Sequence, residues 1–172
     1  MVSMSKVILS LGSNIGDRSA NLRHAVKIMS DRGVVRSAIV SDVFENPPML
    51  PEDSLPEWNL DFFNIAVVAE TDLSLSDFFD MTKQIEIECG RVIVSRWAPR
   101  IIDIDILFFD DVVIESESCI IPHKDALNRD FVMVPLVQIA ADYKYPKEGE
   151  FFGKTIAEIF KKLYIEFSEI YK

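Results

Sequence analysis

A chain of 172 residues with 49% hydrophobic and 27% charged side chains has the makeup of one globular domain, large enough to bury a core without disulfides or metal staples. Its formal net charge of -10 repels nucleic-acid phosphate, and its two cysteines, Cys89 and Cys119, lack metal-ligand spacing and read as reduced thiols. No apolar run approaches a membrane span, and residues 7–11 are too few for the core of a signal peptide, so a cytoplasmic location is expected.

Residues 7–11 predict a first strand, and Gly12-Ser13-Asn14-Ile15-Gly16-Asp17 a loop of turn formers. A helix from about Ser19 carries Leu22, Ala25, Val26 and Met29 at helical spacing, with Gly33 placed to end it. Residues 34–44 alternate loosely as a strand. Residues 45–61 hold Pro47, Pro48, Pro51 and Pro56, too many prolines for regular structure; a loop of that length in a compact domain is usually a lid or a disordered segment. Residues 62–69 resume as a strand in which Asn64 stands among Phe62, Phe63, Ile65 and Val67.

Ser74 and Asp77 form a variant capping box, opening a helix to about Cys89 with Leu75, Phe78, Phe79 and Ile85 on one face and Gly90 after it. Residues 101–109 are a β-branched and aromatic strand, and Asp110-Asp111 turns the chain into residues 112–114. Residues 118–121 are short and extended, and Pro122-His123 leads to a turn. A helical stretch follows near residues 130–140, interrupted or started by Pro135, and another over residues 155–164. The order strand, helix, strand, strand, helix, strand is the βαββαβ pattern of ferredoxin-like α+β domains. The expected architecture is an antiparallel sheet with helices on one face, extended by a hairpin and C-terminal helices. Residues 1–165 would form the single domain and residues 166–172 a tail or linker.

The chemistry concentrates in residues 91–109. Arg91, Arg96 and Arg100 precede a strand on which Asp103 and Asp105 project to one face, and Ile102, Ile104 and Ile106 to the other. Same-face neighbours lie roughly 6.5–7 Å apart, and two carboxylates that near repel each other unless a cation sits between them. Mg2+ prefers such oxygen ligands and shares them with phosphate, and arginine forks suit phosphate oxygens. The pattern points to a Mg-nucleotide site. The plainer alternative is a solvated edge strand, against which the Arg96-Trp97 and Pro99-Arg100 cluster counts. A different Mg-dependent phosphotransferase or phosphohydrolase also fits, and so does a ferredoxin-like module that binds a ligand without turnover.

Asn64 needs a partner inside its apolar strand, either a backbone group across the sheet or the amide-like edge of a ligand. Phe62 and Phe131 read as core residues or as flat faces for a heterocycle. His123 and Arg129 are surface or phosphate-facing, and Glu86 is a surface charge or reaches the metal site through water.

Set in order, these pieces form a longer pattern. It comprises Leu11-Gly12-Ser13-Asn14 with Gly16-Asp17, Pro47-Pro48, Phe63-Asn64, and Glu86 with Gly90-Arg91. Arg96-Trp97-Ala98-Pro99-Arg100, Asp103-Ile104-Asp105-Ile106-Leu107, Pro122-His123, and Arg129 and Phe131 ahead of Pro135-Leu136 complete it. On these residues the chain resembles the 6-hydroxymethyl-7,8-dihydropterin pyrophosphokinase family over about residues 7–140.

The resemblance implies transfer of diphosphate from ATP to the pterin hydroxymethyl group, with release of AMP, in tetrahydrofolate biosynthesis. It implies that Asp103 and Asp105 hold two Mg2+ ions and that Arg91 and Arg100 act with them in catalysis. By the same resemblance Glu86, Arg91, Trp97, Arg100, Ile106, His123 and Arg129 bind ATP. Asn46, Pro47, Pro48, Phe62, Asn64, Trp97, Asp103 and Phe131 bind the pterin, and residues 45–61 and 92–99 close over the site. The implied partners are small molecules, with no nucleic acid and no membrane, and the chain would be fused to or associated with another folate-pathway enzyme. Phe62 stands where the family often has tyrosine, Asn46 where threonine commonly precedes the prolines, and Lys124 where an aromatic or proline is frequent.

Overall fold

The structure is a computed structural model that describes residues 4–92, 95 and 97–166. Arg96, part of the expected 92–99 lid and residues 167–172 of the expected tail lie outside the described residues. The chain runs β1 (Ser5–Ser13), α1 (Arg18–Asp31), β2 (Arg36–Val40), β3 (Phe44–Asn46), β4 (Phe62–Thr71), α2 (Leu75–Glu88) and β5 (Asp103–Phe109). A hairpin of β6 (Ile114–Glu115) and β7 (Ile120–Ile121) follows, then α3 (Asp130–Ala140) and α4 (Ile156–Phe160), which continues as a π-helical segment over Lys161–Glu166. None of the described helices is long and apolar enough to cross a membrane.

The main sheet has the order β2-β4-β1-β5, with β3 beside β4, and every pairing is antiparallel. This is the ferredoxin-like arrangement that the element order predicts. Helix ends follow their local signals. The Asp17 carboxylate accepts the Ala20 N–H at 2.9 Å to open α1, and the Ser74 hydroxyl accepts the Asp77 N–H at 3.2 Å to open α2. Gly90, at φ 96°, turns the chain after α2 in a conformation that other residues rarely adopt.

Side-chain alternation divides the sheet into two faces. Val7, Leu9 and Leu11 of β1, Ile65 and Val67 of β4, and Ile104 and Ile106 of β5 form a core with Leu22, Ala25 and Met29 of α1 and Phe78 and Ile85 of α2. The predicted helices on one face are therefore α1 and α2. The C-terminal helices cover the other: Ile8, Ala66, Leu107 and Phe108 pack against Val132, Met133 and Leu136 of α3 and Ile156 and Ile159 of α4. They cover one end of it only. At the other end the same face carries Ser10, Gly12, Asn64, Asp103 and Asp105.

Two irregularities depart from the sequence pattern. Ile8 pairs with Phe108 but Leu9 with Ile106, so β5 carries Leu107 as an extra residue, and Leu107 and Phe108 both reach the second core. The strand predicted over residues 34–44 divides into β2 and β3, with Ser37 at φ 53° and a register shift between Arg36 and Ile39. In the gap, the Ser41 hydroxyl accepts the Ala66 N–H at 2.9 Å.

Candidate active site

The bare end of the second face is a trough whose floor is set by small residues on the central strand. Gly12 lies between Asp103 of β5 and Asn64 of β4, and Ser10 lies between Asp105 and Ala66. A Cβ at Gly12 would stand 2.7 Å from Asn64 Oδ1 and 3.5 Å from the Phe62 ring, so glycine is what keeps the floor open. Above it is a cavity of about 210 Å³, walled by Asn46, Pro48, Met49, Leu50, Phe62, Trp97, Arg100, Arg129 and Phe131. A second cavity of about 280 Å³ lies across β5, between Phe79, Lys83, Ile106, Ser118, Ile120, His123 and Lys124. Asp105 lines both.

The acid pair is asymmetric. Asp103 Oδ1 accepts from Arg91 Nη1 at 2.6 Å, and Oδ2 accepts from Arg100 Nη1 at 2.8 Å. Burial alone would raise its pKa, but the Arg100 and Arg91 charges outweigh burial and hold it below the usual carboxylate range. Asp105 goes the other way: burial, and then the negative charge of Asp103, push it up. His123 Nε2 lies 4.0 Å from Asp105 Oδ2. The His123 N–H donates to Leu107 O at 3.0 Å, which fixes the histidine beside β5. Arg129 is steadied by Asp125 at 2.8 Å.

Of the residues expected at the pterin, Asn46, Pro48, Phe62, Asn64, Trp97, Asp103 and Phe131 line the first cavity, and Pro47 stands outside its wall. Of those expected at ATP, Ile106 and His123 line the second cavity, while Trp97, Arg100 and Arg129 face the first. Arg91 sits behind Asp103. Glu86 lines neither cavity: its side chain is 3% exposed and turns inward to Lys83, Arg91 and the Ile104 N–H. The partner of Asn64 is the Asn46 side chain, whose Oδ1 accepts at 2.5 Å, and Asn46 in turn donates to Pro47 O at 2.8 Å.

Sequence reasoning passed over Ser10, Met49, Leu50 and Lys83, and it placed Gly12 and Asn14 in a turn-forming loop and in the family pattern without giving either a role at the site. A glycine adjoining a predicted strand was a usable signal for close approach. Asn14 is buried and holds Arg100 by its backbone: Asn14 Oδ1 accepts the Arg100 N–H at 2.8 Å, and the Asn14 N–H donates to Arg100 O at 3.2 Å.

Among the described residues no group of three or more His, Cys, Asp or Glu side chains could cage a metal. The Asp103–Asp105 pair instead suits Mg2+, which binds through one or two carboxylates and completes its shell with phosphate oxygens and water.

A ferredoxin-like sheet with an acid pair beside two cavities, ringed by arginines, makes this an α+β domain whose site suits phosphate groups. Residues 8–141 match the family model described as 7,8-dihydro-6-hydroxymethylpterin-pyrophosphokinase, and the chain belongs to that family. It is 40% identical over 131 residues to the 2-amino-4-hydroxy-6-hydroxymethyldihydropteridine pyrophosphokinase of Bacillus subtilis, covering 76% of this chain and 75% of that one. It is 36% identical over 162 residues to the folate synthesis bifunctional protein of Chlamydia trachomatis, covering 92% of this chain but only 36% of the relative. A Plasmodium falciparum HPPK-DHPS crystal structure shares the fold, with a TM-score of 0.67 and 17% identity over 99% of this chain and 46% of the other. The chain thus spans less than half the length of these bifunctional relatives.

Proposed function

We propose that this chain transfers the diphosphate of ATP to the hydroxymethyl oxygen of 6-hydroxymethyl-7,8-dihydropterin, giving AMP and the pterin diphosphate ester for tetrahydrofolate synthesis. The observation that carries this reading is the meeting of two cavities at Asp105, with Asp103 beside it in the first: a two-substrate transfer needs both reactants to converge on the same charges. In the reaction, the hydroxymethyl oxygen bonds to the β-phosphorus, the bond from that phosphorus to the α,β-bridging oxygen breaks, the hydroxyl proton is released, and AMP leaves.

The flat pterin sits in the first cavity between Phe62 and Phe131, with Asn64 and Asn46 reading its amide edge and the Pro47-Pro48 segment alongside. Gly12 leaves the floor free for it. Adenine packs near Ile106 in the second cavity, with His123 and Arg129 toward the phosphates and Trp97 over the site. Asp103 and Asp105 would hold two Mg2+ ions; when bound, Mg2+ supplies positive charge to the phosphate oxygens and to the attacking hydroxyl. Arg91 and Arg100, docked on Asp103, keep two further positive charges beside the transferred group, where charge develops in a site shielded from water. That local cluster captures ATP against a net charge of -10. Glu86 acts on the nucleotide through Arg91. Residues 45–61 and 92–99 close over the bound substrates.

Residues 1–165 act as one pyrophosphokinase unit and residues 166–172 as a tail or linker. Partnership with a second folate enzyme has the fused Chlamydia relative as its support. A cytoplasmic setting fits the free thiols of Cys89 and Cys119.

The test is nucleotide product analysis after mixing the protein with Mg-ATP and the hydroxymethyl dihydropterin, with Asp103→Ala as control. Pterin-dependent AMP, absent from the control, is expected. ADP or free phosphate as the product would replace the reading with a kinase or hydrolase on the same residues.

A further inference from the structure

β5 is an edge strand, and the peptide groups on such an edge ordinarily go to water. The residue between the two aspartates is an exception. Ile104 lies opposite Leu11 of β1, and both its backbone groups bond to α2 instead. Its N–H donates to Glu86 Oε1 at 2.6 Å, and its carbonyl accepts from Lys83 Nζ at 3.1 Å. Lys83 and Glu86 are one helical turn apart, so their side chains meet, and Lys83 Nζ also donates to Glu86 Oε1 at 3.1 Å.

The remaining oxygen of Glu86 extends the linkage. Glu86 Oε2 lies 2.6 Å from Arg91 Nη1, the same nitrogen that donates to Asp103 Oδ1 at 2.6 Å. A carboxylate 3% exposed, with both oxygens engaged, neither solvates a helix face nor presents itself to a ligand. It joins α2 to the acid pair twice, once through the strand backbone and once through a guanidinium.

We propose that Lys83 and Glu86 form a positioning clamp: they grip the Ile104 peptide and Arg91 together, and so set the aim of Asp103 and Asp105 into the two cavities. The Ile104 N–H belongs to the 103–104 peptide and its carbonyl to the 104–105 peptide, so both peptides between the two aspartates are held, and rotation of either turns one carboxylate relative to the other. The sheet cannot resist that rotation from the outer side of β5, because among the described residues no strand pairs there with Ile104. Lys83 and Glu86 take that place. Lys83 also keeps the buried Glu86 charge paired, which leaves Arg91 free to share itself between Glu86 and Asp103. The catalytic consequence rests on the proposed diphosphate transfer; the clamp itself does not.

Amide hydrogen exchange on the substrate-free protein tests the clamp directly, alongside steady-state kinetics. In Glu86→Gln the Ile104 amide is expected to exchange at least about tenfold faster while β4 amides keep their rates, because an amide side chain cannot accept from Ile104, Lys83 and Arg91 at once. Lys83→Met, a change at a part-exposed side chain, is expected to lower kcat about tenfold with both KM values within about threefold; Lys83→Arg is expected to restore most of the loss.

Unchanged Ile104 exchange in Glu86→Gln would overturn the clamp, whatever the protein turns over. A raised KM for ATP with kcat intact in Lys83→Met would also overturn it, because Lys83 would then be a nucleotide contact in the second cavity. A wild-type protein that forms no AMP refutes the diphosphate reading alone, and the exchange result still decides the clamp.

Discussion

Gly12→Ala is the sharpest test of the pterin cavity, because the structure fixes where the added methyl goes. The new Cβ would meet Asn64 Oδ1 at 2.7 Å, and ordinary contact begins near 3.4 Å, so that oxygen must withdraw by about 0.7 Å. Asn64 has little room to do so. It is 4% exposed and its Nδ2 is tied to Asn46 at 2.5 Å. Overpacking of this kind costs about 1–3 kcal/mol, which for a chain of this size lowers Tm by roughly 2–12 °C. The ligand-side loss is larger in consequence. Displacing the amide proposed to read the pterin would forfeit a hydrogen bond inside the cavity, and about 1.4 kcal/mol there is a tenfold loss of affinity. The KM for the pterin should therefore rise about tenfold or more, with the KM for ATP within about twofold, because the second cavity is untouched. Titration calorimetry with pterin alone, set beside initial rates, separates the two substrates. Unchanged pterin affinity in a folded Gly12→Ala protein would refute the placement of the pterin over Gly12.

Three further outcomes are expected. Asp105 is raised by burial and by the Asp103 charge, so its ionisation costs the folded state stability above its folded pKa, and the cost fades as pH falls and the carboxyl takes up a proton. Without divalent cations, Asp105→Asn should therefore gain stability over wild type at about pH 8 and lose that advantage toward about pH 4, as read by urea unfolding; an equal effect at both ends would contradict it. Arg18 Nη1 donates to Glu45 Oε1 at 2.9 Å and to Asp61 O at 2.8 Å, with the guanidinium 3.6 Å from the Phe63 ring centroid, so it fastens both feet of the proline-rich loop. Arg18→Met should make residues 47–60 several-fold more sensitive to limited proteolysis and weaken pterin binding, and identical digestion rates would show that the loop is anchored elsewhere. Chelation by EDTA should abolish AMP formation and added Mg2+ should restore it; turnover that survives chelation would remove the metal role of Asp103 and Asp105.

The parts legible in the sequence are those set by strong local rules. Asp103 and Asp105 share a face because β5 is regular from Asp103 to Ile106, and the α2 boundaries follow from Ser74 and Gly90. What escaped depends on contacts between distant segments. Asn64 finds Asn46 only because β3 returns to β4 after a break at residues 41–43, and nothing local to either asparagine encodes that meeting. Glu86 follows Phe79 by seven residues and Phe78 by eight, so helical spacing places it on the buried face of α2, and its charge alone made it read as a surface residue. What spacing could not show is its partner: the edge position of β5 beside α2 brings the Ile104 N–H to it, a property of strand order. The bulge at Leu107 was hidden because Leu107 and Phe108 are both apolar, so hydrophobicity gives no sign of which face each takes.

The partial cover of the sheet's second face has a thermodynamic consequence. Ile8, Ala66, Leu107 and Phe108 have α3 and α4 against them, whereas Ser10, Gly12 and Asn64, on the same strands, have empty space. A planar guest seated there becomes the layer that the polypeptide does not supply, and it packs on the sheet as a helix would. Occupancy and folding are then linked equilibria: the protein should melt later in proportion to the logarithm of free pterin, by RT ln(1 + [L]/Kd). A thermal shift with the heterocycle alone would thus report on the fold and the site in one titration, before any phosphate is transferred.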